Sequence, residues 1–273
     1  IIMEYKPDFN TFKNKIKEEK SYVVYTSLVA DLDTPVSAML RIGENEPYSF
    51  LLESVEGGES KGRYSIIGLK PDLIWRCYGN NAEINYNPSN TLNKFRPDNK
   101  STLYSIRSLV NNSKINLPKD LPPMAAGLIG YLGFDTIKLV EKIPSNNPST
   151  LNLPDGMFVR PKIMIIFDAV EDTMTIITPI YLNDSKENDY EKIYKKSCLL
   201  LKKIVNLLKQ PIENKQLKNK NIKNNETIKS NFTKDEYLKI IKKAKKYIKE
   251  GDIFQVVPSQ RFEIPFSLPP FNL

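Results

Sequence analysis

Hydrophobic positions along this chain recur with two periods, and the switches between them mark out its elements. Phe9, Phe12 and Ile16 fall on one face of a helix over Pro7 to Lys20. Tyr22 to Leu28 is apolar and β-branched, and reads as a strand. Asp33-Thr34-Pro35 is a helix start, a capping side chain followed by proline in the first turn, which turns Val36, Met39 and Leu40 inward. Strand signals then follow one another: an apolar strand from Phe50 that ends in Glu53-Ser54, Tyr64 to Leu69, Asp72 to Tyr78, and Ala82 to Tyr86 as a hairpin partner across Gly79-Asn80-Asn81. Trp75, the only tryptophan, belongs to the core of that group. Asn87 to Lys100 is polar with prolines and reads as a loop, and Ser101 to Val110 as a helix with Leu103, Ile106 and Val110 inward.

The pattern continues with Met124 to Asp135, whose glycines at 127, 130 and 133 have apolar residues between them and no acidic residue placed for a ribose. That spacing predicts a buried strand with close backbone packing rather than a dinucleotide loop. A helix over Asp135 to Ile143 stops before Pro144, and a loop runs from Ser145 to Asp155. Phe158 to Val170 and Thr173 to Tyr181 form a long hairpin across Glu171-Asp172. Lys186 to Lys209 is a helix with Ile193, Leu200, Ile204 and Leu207 on its inner side.

Residues 210–231 have no periodic face and read as an exposed loop or linker, which divides the chain into 1–209 and 232–273. The second part opens on Thr233-Lys234-Asp235-Glu236, a capping box, and Tyr237, Ile240, Ile241, Ala244, Tyr247 and Ile248 share one helical face. Gly251 is placed as its C-cap, and Ile253 to Phe262 reads as a strand apolar on both faces except at Gln255. One capped helix and one strand do not bury themselves as a domain, so this part reads as incomplete.

The fold class expected is α+β, with antiparallel sheets packed as a sandwich and helices outside. Composition narrows the chemistry. With 40% hydrophobic and 26% charged residues in 273, the chain can bury a sizeable core. Histidine is absent, which removes histidine-dependent triads and histidine-ligated metals from these residues. Two distant cysteines, Cys77 and Cys198, fit neither a disulfide framework nor a zinc site, as expected of a reducing, cytoplasmic compartment. No long apolar segment suggests a signal peptide or membrane span. The net charge of +8 comes largely from lysine mixed with asparagine between Lys186 and Lys249, without a glycine-aromatic RNA motif. It reads as solvated surface, with no nucleic-acid partner expected.

Two places carry candidate chemistry. At Leu51-Leu52-Glu53-Ser54 an apolar strand ends in a carboxylate and a hydroxyl, before a turn with adjacent glycines, Gly57-Gly58. This is either a polar hairpin corner or a small-molecule site offering acceptors to an amine and an apolar wall to a flat body. Gln255 is either an amide satisfied by backbone or one lining a polar pocket.

Three stretches in register carry a family resemblance. Leu51-Leu52-Glu53-Ser54 with Gly62-Arg63-Tyr64-Ser65, then Gly130-Tyr131-Leu132-Gly133-Phe134-Asp135, then Gly251-Asp252-Ile253-Phe254-Gln255-Val256-Val257 together resemble anthranilate synthase component I. The resemblance implies conversion of chorismate and ammonia to anthranilate and pyruvate with Mg²⁺. It also implies a glutamine amidotransferase partner and feedback inhibition by tryptophan. It places Leu52, Glu53 and Ser54 against the inhibitor, and Gln255 in the wall of the chorismate pocket. Related isochorismate-forming enzymes look to carry a lysine base at that position, and an amide cannot take its role, which fits ammonia rather than water as nucleophile. The family's metal-ligating glutamates, its histidine and the remaining half of its tryptophan site lie downstream of the residues matched here. The chain is therefore expected to be an incomplete large subunit, inactive alone. The alternatives are the related aminodeoxychorismate synthase component I and a non-catalytic tryptophan-binding or scaffold module.

Overall fold

The computed structural model describes residues 3–55, 61–122, 124–144, 151–182, 189–212, 228–266 and 268–272. The chain divides into two compact units, Ile1–Glu213 and Asn214–Leu273.

The first unit is built on one eight-stranded antiparallel sheet, in the order β1-β8-β7-β3-β4-β5, with β2 also paired to β3 and β6 to β7. The strands are β1 (Ser21–Val29), β2 (Phe50–Val55), β3 (Lys61–Tyr78), β4 (Asn81–Asn85), β5 (Arg96–Ser101), β6 (Ile129–Leu132), β7 (Gly156–Asp168) and β8 (Thr173–Tyr181). Four helices accompany them: α1 (Phe9–Glu19), α2 (Pro35–Ile42), α3 (Thr102–Asn112) and α4 (Tyr190–Leu208). The α+β class with antiparallel strands and outer helices is thus the one expected.

The helix starts follow their capping residues. Asp8 accepts from the amides of Asn10 and Thr11, and Thr34 and Ser37 form a reciprocal box at the start of α2. In α2 the buried residues are Ala38, Met39 and Ile42, while Val36 is exposed. The inward face of α4 is Ile193, Ser197, Leu201, Ile204, Val205 and Leu208, so Leu207 sits outside it.

Strands β7 and β8 are buried almost without alternation, because both sheet faces are covered. On one face Val23, Tyr25, Ile66, Met164, Ile166 and Ile177 form a cluster covered by Ile115, Leu117, Leu121 and Ala125-Ala126. Further along that face, Leu73, Trp75, Cys77, Ala82 and Ile84 pack with Leu109 of α3. On the other, α1, α2 and α4 pack against β1, β2, β3 and β8.

Several sequence expectations are corrected. The runs Tyr64–Leu69 and Asp72–Tyr78 belong to one strand, β3, which carries a register shift at Pro71/Leu73 beside Lys70 at φ +50°. Part of the anticipated 87–100 loop is β5, paired with β4. In α3, Leu109 is buried and Val110 exposed. The glycine-rich stretch gives only a four-residue strand, with Tyr131 and Leu132 exposed, and Phe134–Leu139 is an exposed 3-10 turn. Gly130 does serve close packing: a Cβ there would lie 1.9 Å from the Met157 carbonyl oxygen and 2.7 Å from the Phe158 Cα. The turn at 56–60, residues 145–150, 186–188 and 213–227 of the expected loops, helix and linker lie outside the described residues.

The second unit holds α5 (Lys234–Glu250) and a short ladder of β9 (Lys229–Ser230) with β10 (Phe262–Glu263). Thr233 and Glu236 make the full capping box, and Gly251 closes the helix at φ +81°. No residue of α5 is buried. The expected strand over 253–262 instead forms a ladder among the described residues only at Phe262, opposite Ser230, and leaves Phe254 and Val257 exposed.

Candidate functional site

The β2–β3 corner is set by strand register. Phe50 lies opposite Gly68, Leu51 opposite Ile67, Leu52 opposite Ile66 and Glu53 opposite Ser65. Gly68 is required: a Cβ there would stand 2.1 Å from the Phe50 ring, which covers it and joins the apolar cluster of Tyr25, Ile66 and Met164. Side chains alternate across a strand, so Leu52 shares the face of Ile66 and that cluster, while Glu53 belongs to the opposite face with Ser65 and Ile67. Leu52 is 43% exposed at the rim, and Glu53 is exposed. The pairing slips between Glu53 and Val55, a bulge of the kind that re-aims side chains beside a site. Ser54 continues the strand; its side chain is outside the described residues.

Behind this corner the start of β3 is fastened by an ion pair. Arg63 donates to Asp168 through Nε and Nη2, and the Ala169 amide donates to the Arg63 carbonyl at 2.8 Å. Asp168 also accepts from the amides of Val170 and Glu171. The Arg63 guanidinium first, and these amides with it, hold the Asp168 carboxyl below its usual range. Beneath the apolar face, the Tyr25 hydroxyl donates to Asp120. Burial, then that carboxylate, push the phenol above its ordinary value, so it stays a neutral donor. The arrangement offers an apolar wall and, on the opposite face of the same strand, the Glu53 carboxylate. It suits binding of a flat ammonium-bearing molecule more than bond-breaking chemistry.

Gln255 is exposed and lies in the second unit, flanked by Phe254 at 94% exposure. Leu52 and Glu53 are thus adjacent in the first unit but on opposite faces, and Gln255 belongs to the second unit. Among the described residues neither thiol reads as an activated nucleophile. Burial raises the Cys77 thiol to about 11, helped by Asp155, and burial also raises Cys198. Among the described residues no three His, Cys, Asp or Glu side chains are grouped to hold a metal ion.

Two ion pairs, each with one buried partner, escaped sequence reasoning. Arg160, only 2% exposed, donates to Asp72 at 2.7 and 3.1 Å, and its guanidinium carbon sits 4.0 Å from the Tyr181 ring centroid. The signal available was an arginine inside the apolar run Phe158 to Phe167, where a charge demands a partner. Asp168 ends that same run, but nothing local named Arg63, 105 positions earlier, as its partner.

Residues 50–273 match the family model described as chorismate binding enzyme. The chain belongs to that family. It is 41% identical over 267 residues to anthranilate synthase component 1 of Cereibacter sphaeroides, an alignment covering 97% of this chain and 52% of the relative. It is 34% identical over 279 residues to the protein of the same name from Synechocystis sp., covering 98% and 53%. The crystal structure of anthranilate synthase component I from Streptococcus pneumoniae TIGR4 superposes with a TM-score of 0.59 at 21% identity, over 90% of this chain and 50% of that one, which shows a shared fold. The chain spans about half the length of the curated relatives it matches.

Proposed function

We propose that this chain forms the tryptophan-sensing part of an anthranilate synthase large subunit, together with the first elements of its chorismate domain. The complete enzyme would convert chorismate and ammonia to anthranilate and pyruvate in the cytoplasm, as the first step of tryptophan biosynthesis. A glutamine amidotransferase subunit would supply the ammonia. The names of the relatives favour this reaction over that of aminodeoxychorismate synthase. Among the described residues no helix is long and apolar enough to cross a membrane.

The observation carrying the proposal is the bulged β2–β3 corner, where the half-exposed Leu52 ends an apolar face and the Glu53 carboxylate lies one residue on. Leu52, Glu53 and Ser54 are assigned to the inhibitor: the carboxylate and hydroxyl to its α-ammonium, the leucine and the face behind it to its indole. Gln255 is assigned to the chorismate pocket wall, where an amide can hydrogen-bond but cannot act as a base. The described residues do not group into a magnesium site, so Mg²⁺ in this reading is held by residues other than these, and no step is assigned to it here.

Titration calorimetry tests the regulatory reading. L-Tryptophan is expected to bind the 273-residue chain, indole and L-alanine more weakly, and Ser54→Phe to remove the binding. No tryptophan binding, or binding unchanged in Ser54→Phe, overturns the assignment. The same chain, given chorismate, ammonium and Mg²⁺, is expected to produce no anthranilate fluorescence; turnover overturns its confinement to a regulatory part.

A further inference from the structure

An amino acid lying at the β2–β3 corner brings a carboxylate as well as an ammonium and a side chain. Leu52 cannot bind that carboxylate and Glu53 repels it, so a complete amino-acid site needs a cation at the same corner. Arg63 supplies one. It stands on β3 two residues before Ser65, the partner of Glu53, and next to Tyr64. Tyr64 and Ile66 share one face of β3, and Leu52 lies opposite Ile66, which makes Tyr64 the diagonal neighbour of Leu52 along the apolar face. The Arg63 guanidinium carbon sits 5.0 Å from the Tyr64 ring centroid. The cation therefore stands at the end of the wall to which Leu52 belongs.

The guanidinium is held from one edge. Its Nε and Nη2 donate to Asp168, which is buried, whereas the Arg63 side chain is itself 47% exposed. Among the described residues its other ion pair is with the exposed Glu171, 3.9 Å from Nη2. A pair at that distance between solvent-facing groups contributes little and is readily displaced. A guanidinium carries five N–H donors in a planar fork, so a bond along one edge leaves others for a second carboxylate. Because the buried acid already fixes its direction, little side-chain freedom remains to be lost when that second carboxylate binds.

We propose that Arg63 is the carboxylate anchor of the β2–β3 corner, taking the α-carboxylate of an amino acid whose ammonium goes to Glu53. The inference rests on the amino-acid reading of that corner and adds to it the means by which the site tells an amino acid from an amine. Asp168 is then a positioning residue: it touches no ligand and aims the guanidinium that does.

The test is calorimetry on the 273-residue chain with L-tryptophan, tryptamine (no carboxylate), indole-3-propionate (no ammonium) and indole. Arg63→Gln is expected to weaken L-tryptophan and indole-3-propionate at least about tenfold, the scale of a charged hydrogen-bonded contact, and to leave tryptamine and indole unchanged. Arg63→Lys keeps a charge beside Asp168 but not the fork, so it is expected to keep the fold and show a smaller loss with the same two ligands. Glu171→Gln removes the competing acid and is expected to tighten the two carboxylate ligands but not tryptamine. Losses that fall equally on tryptamine and L-tryptophan in both Arg63 variants overturn the proposal, since Arg63 then acts through the strand it fastens. So does an unchanged affinity for L-tryptophan and indole-3-propionate in Arg63→Gln. Either result, in a chain whose wild type binds L-tryptophan, overturns this inference alone. A wild-type chain that binds none of the four ligands overturns the amino-acid reading of the corner, and this inference with it.

Discussion

Arg63 and Asp168 close one end of the long β3–β7 pairing: the Arg63 Nε donates to both Asp168 oxygens at 3.0 and 3.1 Å, and its Nη2 to Oδ2 at 2.8 Å. The register places Tyr64 opposite Asp168, so the ion pair sits where β3 enters the sheet and where β7 leaves it for the turn to β8. Asp168 is 6% exposed and accepts from the first amides of that turn as well. One carboxylate thus fixes both a hairpin and the strand that backs the Glu53 corner.

The first prediction concerns that carboxylate. Asp168→Asn keeps the shape but replaces a charged acceptor with an amide in a nearly buried position, and is expected to cost roughly 1–3 kcal/mol in urea unfolding at pH 7. The sign of its pH dependence follows from the lowered pKa of the folded state. The stabilisation is present above the unfolded carboxyl value, near 4, and is lost as pH falls through the folded value. Melting curves of wild type and variant should therefore differ by a constant amount between pH 5 and pH 8 and converge below about pH 4. A gap that stays constant into acid removes the ion pair as its cause.

A second prediction rests on Trp75, which is fully buried and donates from Nε1 to Ser105 Oγ at 2.9 Å, while Ser105 donates onward to Asp98 at 2.6 Å. Ser105→Ala leaves the indole N–H without its acceptor and is expected to destabilise by about 1–3 kcal/mol. Because Trp75 is the only tryptophan, its fluorescence during denaturant unfolding reads this change directly. An unshifted midpoint shows that another acceptor takes the proton.

How much of this was legible in the sequence depended on how local its cause was. Thr34, Thr233 and Gly251 announced helix ends because a cap is settled within four residues. The β7–β8 hairpin announced itself through adjacent apolar runs and a polar turn. Non-local partners decided the rest. Lys70 at positive φ lets β3 run on through a shift that reads locally as a break. The apolar run after Gly251 has strand composition but finds no described ladder beyond Phe262–Glu263, so propensity alone misled. At the candidate corner it was legible that Leu52 and Glu53 close an apolar strand. That they face opposite ways follows only from a partner strand that fixes which face is covered.

Gly130 gives a third prediction. Its missing side chain lets β6 lie against the backbone of Met157 and Phe158, where a Cβ would meet the carbonyl oxygen at 1.9 Å. Backbone cannot swing aside as a flexible side chain does, so Gly130→Ala is expected to release β6 from β7. Amide exchange at Ile129 to Leu132 should accelerate sharply, while exchange in the β7–β8 pairing stays slow. Retained protection at β6 in a folded variant contradicts the close-packing role. Gly127, at φ +147° with open space around it, offers a contrasting position where strain rather than collision opposes a side chain.

The last prediction separates two neighbours that act through opposite faces. Leu52 stands opposite Ile66 on the face carrying Phe50, Tyr25 and Met164, whereas Glu53 stands opposite Ser65 on the other. A flat aromatic ligand lying against the apolar face buries its ring there and reaches Glu53 only around the strand margin, through its ammonium. Leu52→Ser is then expected to weaken tryptophan and indole binding alike, because it removes wall. Glu53→Gln is expected to weaken tryptophan but leave indole unchanged, because indole has no ammonium to lose. Calorimetry with both ligands on both variants decides the point. Equal losses for indole and tryptophan in Glu53→Gln indicate that Glu53 acts through the shape of the bulge rather than through its charge, and transfer the ammonium contact to another acceptor.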